Sequence, residues 1–359
     1  MILGDHMSFE GKSGKSGKSG KSGKSGKSGK SGKSGKSGVE GMPTDHAGGP
    51  LDSYLSLALA LSRDGIVGPW DGSADAATSP LVIRGTPLGY LTPALRGDLL
   101  DQELISALKV TPGGQKASVG LSNGTALVDM TLPAQKDFAA QMPVLRVLAD
   151  LREDRFPEIL EQVDDLLSFY GAILQLDDSQ RKWTIELLEA VVRLAILVEM
   201  PLKHGFRAPR PNLFSTRLQP PIQTPTHGSY PSGHATEAYA IATVLQALSG
   251  GAPAAKAVAD RALLFQLAYR IAENRMVVGV HFPFDSVAGA VLGVTLGEWV
   301  VAAATGGKVP PPRHYTPGAE RDPFQPDTVA ALLQGTPGAA LTALPILAEV
   351  WANADKEWR

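Results

Sequence analysis

The 359-residue chain contains no cysteine, which excludes disulfide bonds and thiolate metal sites. It also has no uninterrupted apolar run of the ~18 residues that a spanning helix needs. The nearest candidate, residues 286–297, is closed by Asp285 and Glu298, so we expect no membrane partner. The N-terminus lacks an apolar segment followed by a small-residue cleavage site, which predicts no signal peptide and a cytoplasmic location by default, with export left open.

Charge is unevenly distributed along the chain, although the net value is only −2. Nine lysines give residues 1–47 a charge of +5, which leaves about −7 on the remainder. We therefore expect no nucleic-acid partner, and any bound anion must be held by local groups. Residues 11–38 are a Gly-Lys-Ser repeat whose period of three cannot supply the glycine spacing of a phosphate-binding loop. We predict a disordered tail over residues 1–47 and one folded domain over residues 48–359.

Apolar residues make up 43% of the chain, enough for a sizeable core, and their spacing is mainly helical. The predicted helices cover residues 52–62, 134–151, 156–175, 179–202, 235–249, 253–277, 285–304 and parts of 327–353. Residues 64–133 are richer in glycine and proline and are predicted to form irregular connections with short elements. These patterns predict an all-α fold in which long helices form a bundle.

Three short segments at helix ends hold an unusual set of polar residues. In the first, "KHGFRAPRP", Lys203 and Arg210 are seven residues apart, with Gly205 and Pro209 between them. Because these two residues disfavour a continuous helix, we expect Lys203 to end the preceding helix and Arg210 to point back toward it. Basic residues at a helix C-terminus are also ordinary partners of the helix dipole, so this segment alone is weak evidence.

The second segment, "PSGHA", begins a helix. Pro231 and Gly233 shape a turn, and Ser232 can act as the N-cap. Free backbone N–H groups at this helix end form an anion site, with His234 at its mouth. Taken alone, a plain capped helix start is the simpler explanation.

In the third segment, "NRMVVGVHFPFDSVAG", Arg275 ends one helix and Pro283 begins the next. Asp285, near the third position of that helix, can reach back in capping-box fashion to His281. Such a hydrogen bond would select one imidazole tautomer and make the far ring nitrogen more basic. A purely capping role for Asp285 is the alternative, and the two roles are compatible.

Together the segments supply three cations, backbone N–H groups and two histidines. That set suits a tetrahedral oxyanion of about two negative charges, held by charge-assisted hydrogen bonds. One histidine can bond the central atom while the other moves protons at the opposite apex. A divalent metal centre fits less well, because the sequence has no His-x3-His pair and no cysteine.

The three segments resemble the superfamily of type 2 phosphatidic acid phosphatases and vanadium-dependent haloperoxidases. The matching patterns are Lys203-x6-Arg210-Pro211, Pro231-Ser232-Gly233-His234 and Arg275-x5-His281-x3-Asp285. The family usually has serine before the third-segment arginine, where this chain has Asn274.

The resemblance implies two alternative chemistries at one oxyanion site. In the haloperoxidases, the residue matching His281 is the protein ligand to vanadium, and the residue matching His234 assists peroxide deprotonation. The vanadate oxygens are then held by the residues matching Lys203, Arg210, Ser232, Gly233 and Arg275. In the phosphatases, phosphate occupies the same site, the residue matching His281 attacks phosphorus, and the residue matching His234 protonates the leaving group.

Three features favour a haloperoxidase. Membrane-embedded lipid phosphatases need spanning helices, and none is predicted in this sequence. The soluble bacterial acid phosphatases of the family are usually shorter than this chain and exported, whereas no signal peptide is predicted here. In addition, "HGSYPSGHATEAYAIATVLQAL" resembles the bromoperoxidases, which have a histidine seven residues before the acid–base histidine, where chloroperoxidases typically have phenylalanine. His227 occupies that position here, although a loop histidine held by the turn would explain it too.

We therefore predict an enzyme that uses vanadate and hydrogen peroxide to oxidise bromide or iodide to a hypohalous-acid equivalent. His227, His234, His281 and Asp285 are the predicted catalytic residues. A small organic acceptor is the expected final target, and a homo-oligomer is compatible with the family. A soluble phosphatase that acts through a phosphohistidine is the alternative. A non-catalytic oxyanion-binding protein is favoured least, because it would need the cations but not both histidines and a positioned aspartate.

Overall fold

The computed structural model describes residues 44–45, 49–50, 53–68, 86–318 and 323–359. The Gly-Lys-Ser repeat lies outside these residues, as does nearly all of the predicted tail. The tail and the domain boundary after residue 47 therefore stay predictions.

Twelve helices are present in the described part of the chain. Their bounds are α1 Ser53–Val67, α2 Pro93–Ser106, α3 Gln135–Leu148, α4 Arg152–Glu161, α5 Leu167–Leu174, α6 Lys182–Phe206, α7 Gly233–Leu248, α8 Ala254–Ala259, α9 Leu263–Val277, α10 Pro283–Thr305, α11 Pro326–Leu332 and α12 Pro345–Lys356. Short 3-10 turns cover Pro87–Tyr90, Ala149–Leu151 and Pro211–Leu213. The prediction of a mainly helical protein is confirmed.

The described residues also contain short strands, which add a small sheet to the mainly helical fold. They are β1 Thr44–Asp45, β2 Gly49–Pro50, β3 Leu108–Thr111, β4 Lys116–Leu121, β5 Ala126–Thr131 and β6 Arg313–Tyr315. The first two pair only with each other, and the others form one sheet in the order β3-β4-β5-β6. The β3–β4 and β4–β5 pairs are antiparallel, whereas β6 joins β5 in parallel from a distant part of the chain.

Residues 64–133, predicted to form irregular connections, instead contain a β-hairpin whose turn accounts for some of the glycine in this segment. In β4, Ala117, Val119 and Leu121 are buried and alternate with more exposed neighbours, the pattern of a half-buried strand. The link to β5 contains Gly124 with φ of +92°, a left-handed conformation that favours glycine. Glycine in this segment therefore marks a hairpin rather than an irregular connection.

Two predicted helices are each divided in two by a turn. Residues 156–175 contain the end of α4 and all of α5, and the Asp165 carboxylate caps α5 by accepting from the Ser168 N–H at 2.9 Å. Residues 253–277 contain α8 and α9, separated where Arg261 adopts φ of +55°. The apolar residues have helical spacing both before and after each turn. The sequence pattern therefore predicts one continuous helix where the structure has two.

Helices α7 and α10 form the centre of the fold. Three glycines of α10, spaced one turn apart, face α7 at backbone distance. A Cβ added at Gly289 would lie 2.4 Å from the Ser232 carbonyl oxygen, and one at Gly293 would lie 2.3 Å from that of Thr236. The Ser232 N–H also donates to the Asp285 carbonyl at 2.9 Å. The second and third sequence segments are thereby held side by side.

Helix α10 is also apolar and long enough to cross a membrane, and it is the one such helix in the described residues. However, 89% of its most apolar stretch is buried inside the protein, which makes its composition weak evidence for a span.

Candidate active site

The first segment turns back on itself as the sequence suggests. Helix α6 ends at Phe206, and Arg207 follows in the left-handed region with φ of +51°. Lys203 lies in the last turn of the helix, where its ammonium donates to the Pro231 carbonyl of the second segment. Burial lowers the pKa of Lys203 to about 8, although Glu199 acts in the opposite direction.

The Arg210 guanidinium contacts residues near or within both of the other segments. Its Nη1 donates to the Val280 carbonyl at 2.8 Å and lies 3.0 Å from His281 Nε2. Its Nε donates to the His227 carbonyl at 3.1 Å, and its Nη2 lies 3.2 Å from His227 Nδ1. A single buried cation therefore contacts two histidines that are 54 positions apart in the sequence.

The network determines the tautomer of His281. A guanidinium can only donate, so His281 Nε2 accepts from Arg210 and the proton of the neutral ring is on Nδ1. Nδ1 then donates to Asp285 Oδ2 at 3.1 Å, the contact expected from the four-residue spacing. The same oxygen accepts from the Phe282 N–H at 2.9 Å. Burial, reinforced by Arg210 and Lys203, lowers the pKa of His281 well below its usual range, which keeps Nε2 unprotonated.

At the N-terminus of α7, Ser232 holds the N-cap position without a side-chain capping bond. Among the described residues, its buried Oγ has no hydrogen-bond partner, and neither does the buried Nε of Arg275. Leaving such groups unpaired costs about 1–3 kcal/mol each. Both are therefore suited to a ligand that accepts hydrogen bonds.

His234 and Arg275 are joined through Gln162, which the sequence analysis did not single out. The Gln162 carbonyl lies 2.9 Å from His234 Nε2, so this nitrogen carries the proton and Nδ1 has the electron pair. Arg275 Nη2 donates to Gln162 Oε1 at 3.3 Å, and the Asn274 amide donates to the same oxygen at 2.9 Å. Burial, with Arg275, lowers the pKa of His234 to about 3.

Two buried acids were also missed. Glu199 lies on α6 one turn before Lys203, and its Oε1 is 2.5 Å from the place where a Cβ on Gly233 would stand. Burial raises the pKa of Glu199 to about 7, against the opposing charges of Lys203 and Arg210. Burial also raises the pKa of Glu237, on α7, to about 8, and the charge of Glu199 adds to that rise. A side chain at position 233 would therefore meet the Glu199 carboxylate. A glutamate on an otherwise apolar helical stripe is the one sequence signal that could have revealed it.

The structure brings all the predicted site residues into one connected region. Hydrogen bonds or close contacts link Lys203, Arg210, His227, Ser232, Gly233, His234, Arg275, His281 and Asp285, either directly or through Pro231, Gln162 and Glu199. Their chemical roles stay predictions. As a set, they offer positive charge and hydrogen-bond donors beside three neutral imidazoles, which suits an oxyanion and proton movement around it.

Comparisons with known proteins point to one family. The family model described as the PAP2 superfamily matches residues 183–306, which include all three segments. The chain is 37% identical over 113 residues to a vanadium-dependent bromoperoxidase from Ascophyllum nodosum, an alignment that covers 25% of this chain and 20% of that protein. It is 32% identical over 143 residues to the decaprenylphosphoryl-5-phosphoribose phosphatase of Mycobacterium tuberculosis, covering 40% of this chain and 72% of the phosphatase. The chain therefore spans only a fifth of the first relative and most of the second.

Proposed function

This chain belongs to the PAP2 superfamily of phosphatases and haloperoxidases, and within it we propose a vanadate-dependent enzyme that oxidises bromide or iodide with hydrogen peroxide. The observation that carries the proposal is the position of His227. This third histidine, the one expected of bromoperoxidases, contacts the same guanidinium as His281. His227 Nδ1 also lies 3.2 Å from the Gly228 carbonyl of its own turn, so it is the additional contact with Arg210 that supports a role next to the anion.

The residues present fit vanadate. Lys203, Arg210 and Arg275 are 1%, 4% and 2% exposed, and in the described residues none of them forms a salt bridge. Buried cations outside a salt bridge are costly, and the carboxylates near them offset that cost only in part, so a bound dianion would stabilise them. His281 would be the ligand through Nε2, while Ser232, Gly233 and the three cations would hold the oxygens. Bound vanadate would supply the Lewis-acidic centre that activates hydrogen peroxide for halide oxidation.

The chain's own groups would position the reactants and move protons. Asp285 keeps the proton of His281 on Nδ1 and holds the ring in place. His234 is neutral and has Nδ1 free to accept a proton from the peroxide, since Nε2 is engaged by Gln162. His227 contacts the Arg210 guanidinium and would adjust either halide access or proton transfer next to the anion. A hypohalous acid released from the site can then react with a small organic acceptor.

The test is bromide-dependent halogenation of a dye by hydrogen peroxide, measured on the purified protein with and without added orthovanadate. We expect activity that requires both bromide and vanadate. His281→Ala should abolish it with an unchanged circular-dichroism spectrum, and His227→Phe should lower the rate with bromide more than the affinity for vanadate. Full turnover by His281→Ala would overturn the assignment of the site itself.

The second candidate is a soluble phosphatase that hydrolyses phosphate monoesters through a phosphohistidine at His281. The observation in its favour is the similarity to the mycobacterial phosphatase, which extends over 72% of that protein. Hydrolysis of p-nitrophenyl phosphate, measured on the same samples, distinguishes the phosphatase from the haloperoxidase. Ester hydrolysis that vanadate inhibits, together with no halogenation under any condition, would select the phosphatase.

A further inference from the structure

A cavity of about 300 Å³ lies outside the oxyanion site and is lined by three arginines. Arg146 comes from α3, Arg152 from the start of α4, and Arg217 from the loop that follows the 3-10 turn at residues 211–213. Met142 and Leu218 supply its apolar wall. The lining includes no acidic side chain, in a chain whose folded part is acidic overall.

Arg152 is a rigid cation at this cavity. Its guanidinium donates to the carbonyls of Val277 at 2.8 Å, Leu218 at 2.9 Å and Val278 at 3.3 Å. These carbonyls satisfy its N–H groups but leave its positive charge uncompensated. Burial lowers the pKa of Arg152, as expected for a cation that no carboxylate offsets.

The other two guanidiniums are unengaged. The side chains of Arg146 and Arg217 are exposed, and across the described residues they have no hydrogen-bond or ion-pair partner. Most arginines elsewhere in the fold pair with an acid, as Arg96 does with Glu186 and Arg193 does with Asp101. Three like charges around one cavity repel each other, and a bound anion would relieve that repulsion.

We propose that this cavity binds a small organic anion, with its carboxylate, sulfonate or phosphate group hydrogen-bonded by Arg146 and Arg217 beside the fixed positive charge of Arg152, and its apolar body against Met142 and Leu218. The volume is at the lower end of the ~300–1,000 Å³ common for small-molecule sites. Guanidinium groups suit this class of ligand, because their planar N–H donors match the two oxygens of such groups. An inorganic oxyanion would leave the apolar wall uncovered and is the weaker fit.

The cavity shares a wall with the candidate active site without overlapping it. A Cβ added at Gly279 would lie 2.9 Å from Arg152 Nη2 and 3.0 Å from Leu218 Cγ, so the loop that carries His281 packs directly against the cavity residues. None of the nine predicted site residues lines the cavity. The proposal therefore stands whichever reaction the enzyme performs.

The test is a fluorescence titration of the full chain with 8-anilinonaphthalene-1-sulfonate, which combines a sulfonate with an apolar body. Binding of the probe at the oxyanion site is excluded by repeating the titration on the His281→Ala variant. The double variant Arg146→Gln/Arg217→Gln should weaken binding by about 10-fold or more, since each lost charge-assisted bond is substantial. Lys136→Gln removes one charge from the exposed start of the same helix α3, and it should leave the affinity unchanged.

Competition identifies the ligand class. Benzoate should displace the probe, whereas benzyl alcohol, which has the same ring without the charge, should not. Equal affinity in the double variant and the unaltered protein, or equal displacement by the alcohol, would overturn the proposal in favour of a plain apolar patch. His281→Ala should bind the probe normally, so failure of the oxyanion assignment and failure of this one are seen in different measurements.

Discussion

The close contact between α7 and α10 can be tested at Gly289, beside the ends of both helices that carry the candidate site. An alanine there would place its Cβ 2.4 Å from the Ser232 carbonyl oxygen and 2.8 Å from Ala235 Cβ. Unstrained contacts between such atoms begin near ~3.5 Å, so the helices would have to part by about 1 Å. The nearest atom belongs to the backbone of Ser232, so a change of side-chain rotamer cannot relieve the clash.

We expect Gly289→Ala to lower the free energy of unfolding by about 1–3 kcal/mol, the usual cost of overpacking. That loss should prevail over the gain of up to ~1 kcal/mol in helix propensity. The displaced carbonyl belongs to Ser232, whose N–H donates to the Asp285 carbonyl. The variant should therefore also bind phosphate or orthovanadate more weakly.

Two further glycines serve as matched controls. Gly297 is two turns farther along α10, where a Cβ would lie 2.6 Å from Thr243 Cβ, so Gly297→Ala should lose stability and keep its anion affinity. Gly65 in α1 has nothing within 4 Å, so Gly65→Ala should lose neither. Urea denaturation and isothermal titration with phosphate measure the two quantities. Unchanged stability in Gly289→Ala, or an equal loss of affinity in Gly297→Ala, would refute the reasoning.

Two further predictions concern the site. Asp285→Asn should lower vanadate affinity about 10–100-fold, as loss of a partner behind a ligating histidine usually does; titration with orthovanadate would show it, and an unchanged affinity would mean that Asp285 only caps α10. The stability of the anion-free protein, measured by the urea midpoint, should fall as the pH rises from 6.5 to about 8. Glu199 and Glu237 have pKa values raised from 4.5 to about 7 and about 8, so they hold protons more tightly when folded and lose stability as the pH rises through that range. Below pH 6.5 this loss is opposed by His227 and His234, whose pKa values fall to about 4 and about 3 and whose contribution to stability rises with pH up to 6.5. Glu199→Gln should flatten that fall, and a slope identical to that of the unaltered protein would contradict the assignment.

Local patterns determined much of this molecule. The helix periodicity, the start of α10 at Pro283 and the His281–Asp285 pair all depend on residues within a few positions of each other. The backbone of one helix end places them, so the sequence alone is sufficient. The three segments could likewise be recognised because each carries its residues at short, regular spacing.

Only the tertiary structure decided what lies between the segments. Gln162 meets His234 from 72 positions away, β6 joins β5 from the far end of the chain, and Glu199 reaches Gly233 across a helix interface. Such contacts depend on how helices and strands pack, and no local pattern encodes the distance between two elements. The same is true of the cavity at Arg152, where three scattered arginines come together because α3, α4 and the loop after residue 213 share one surface.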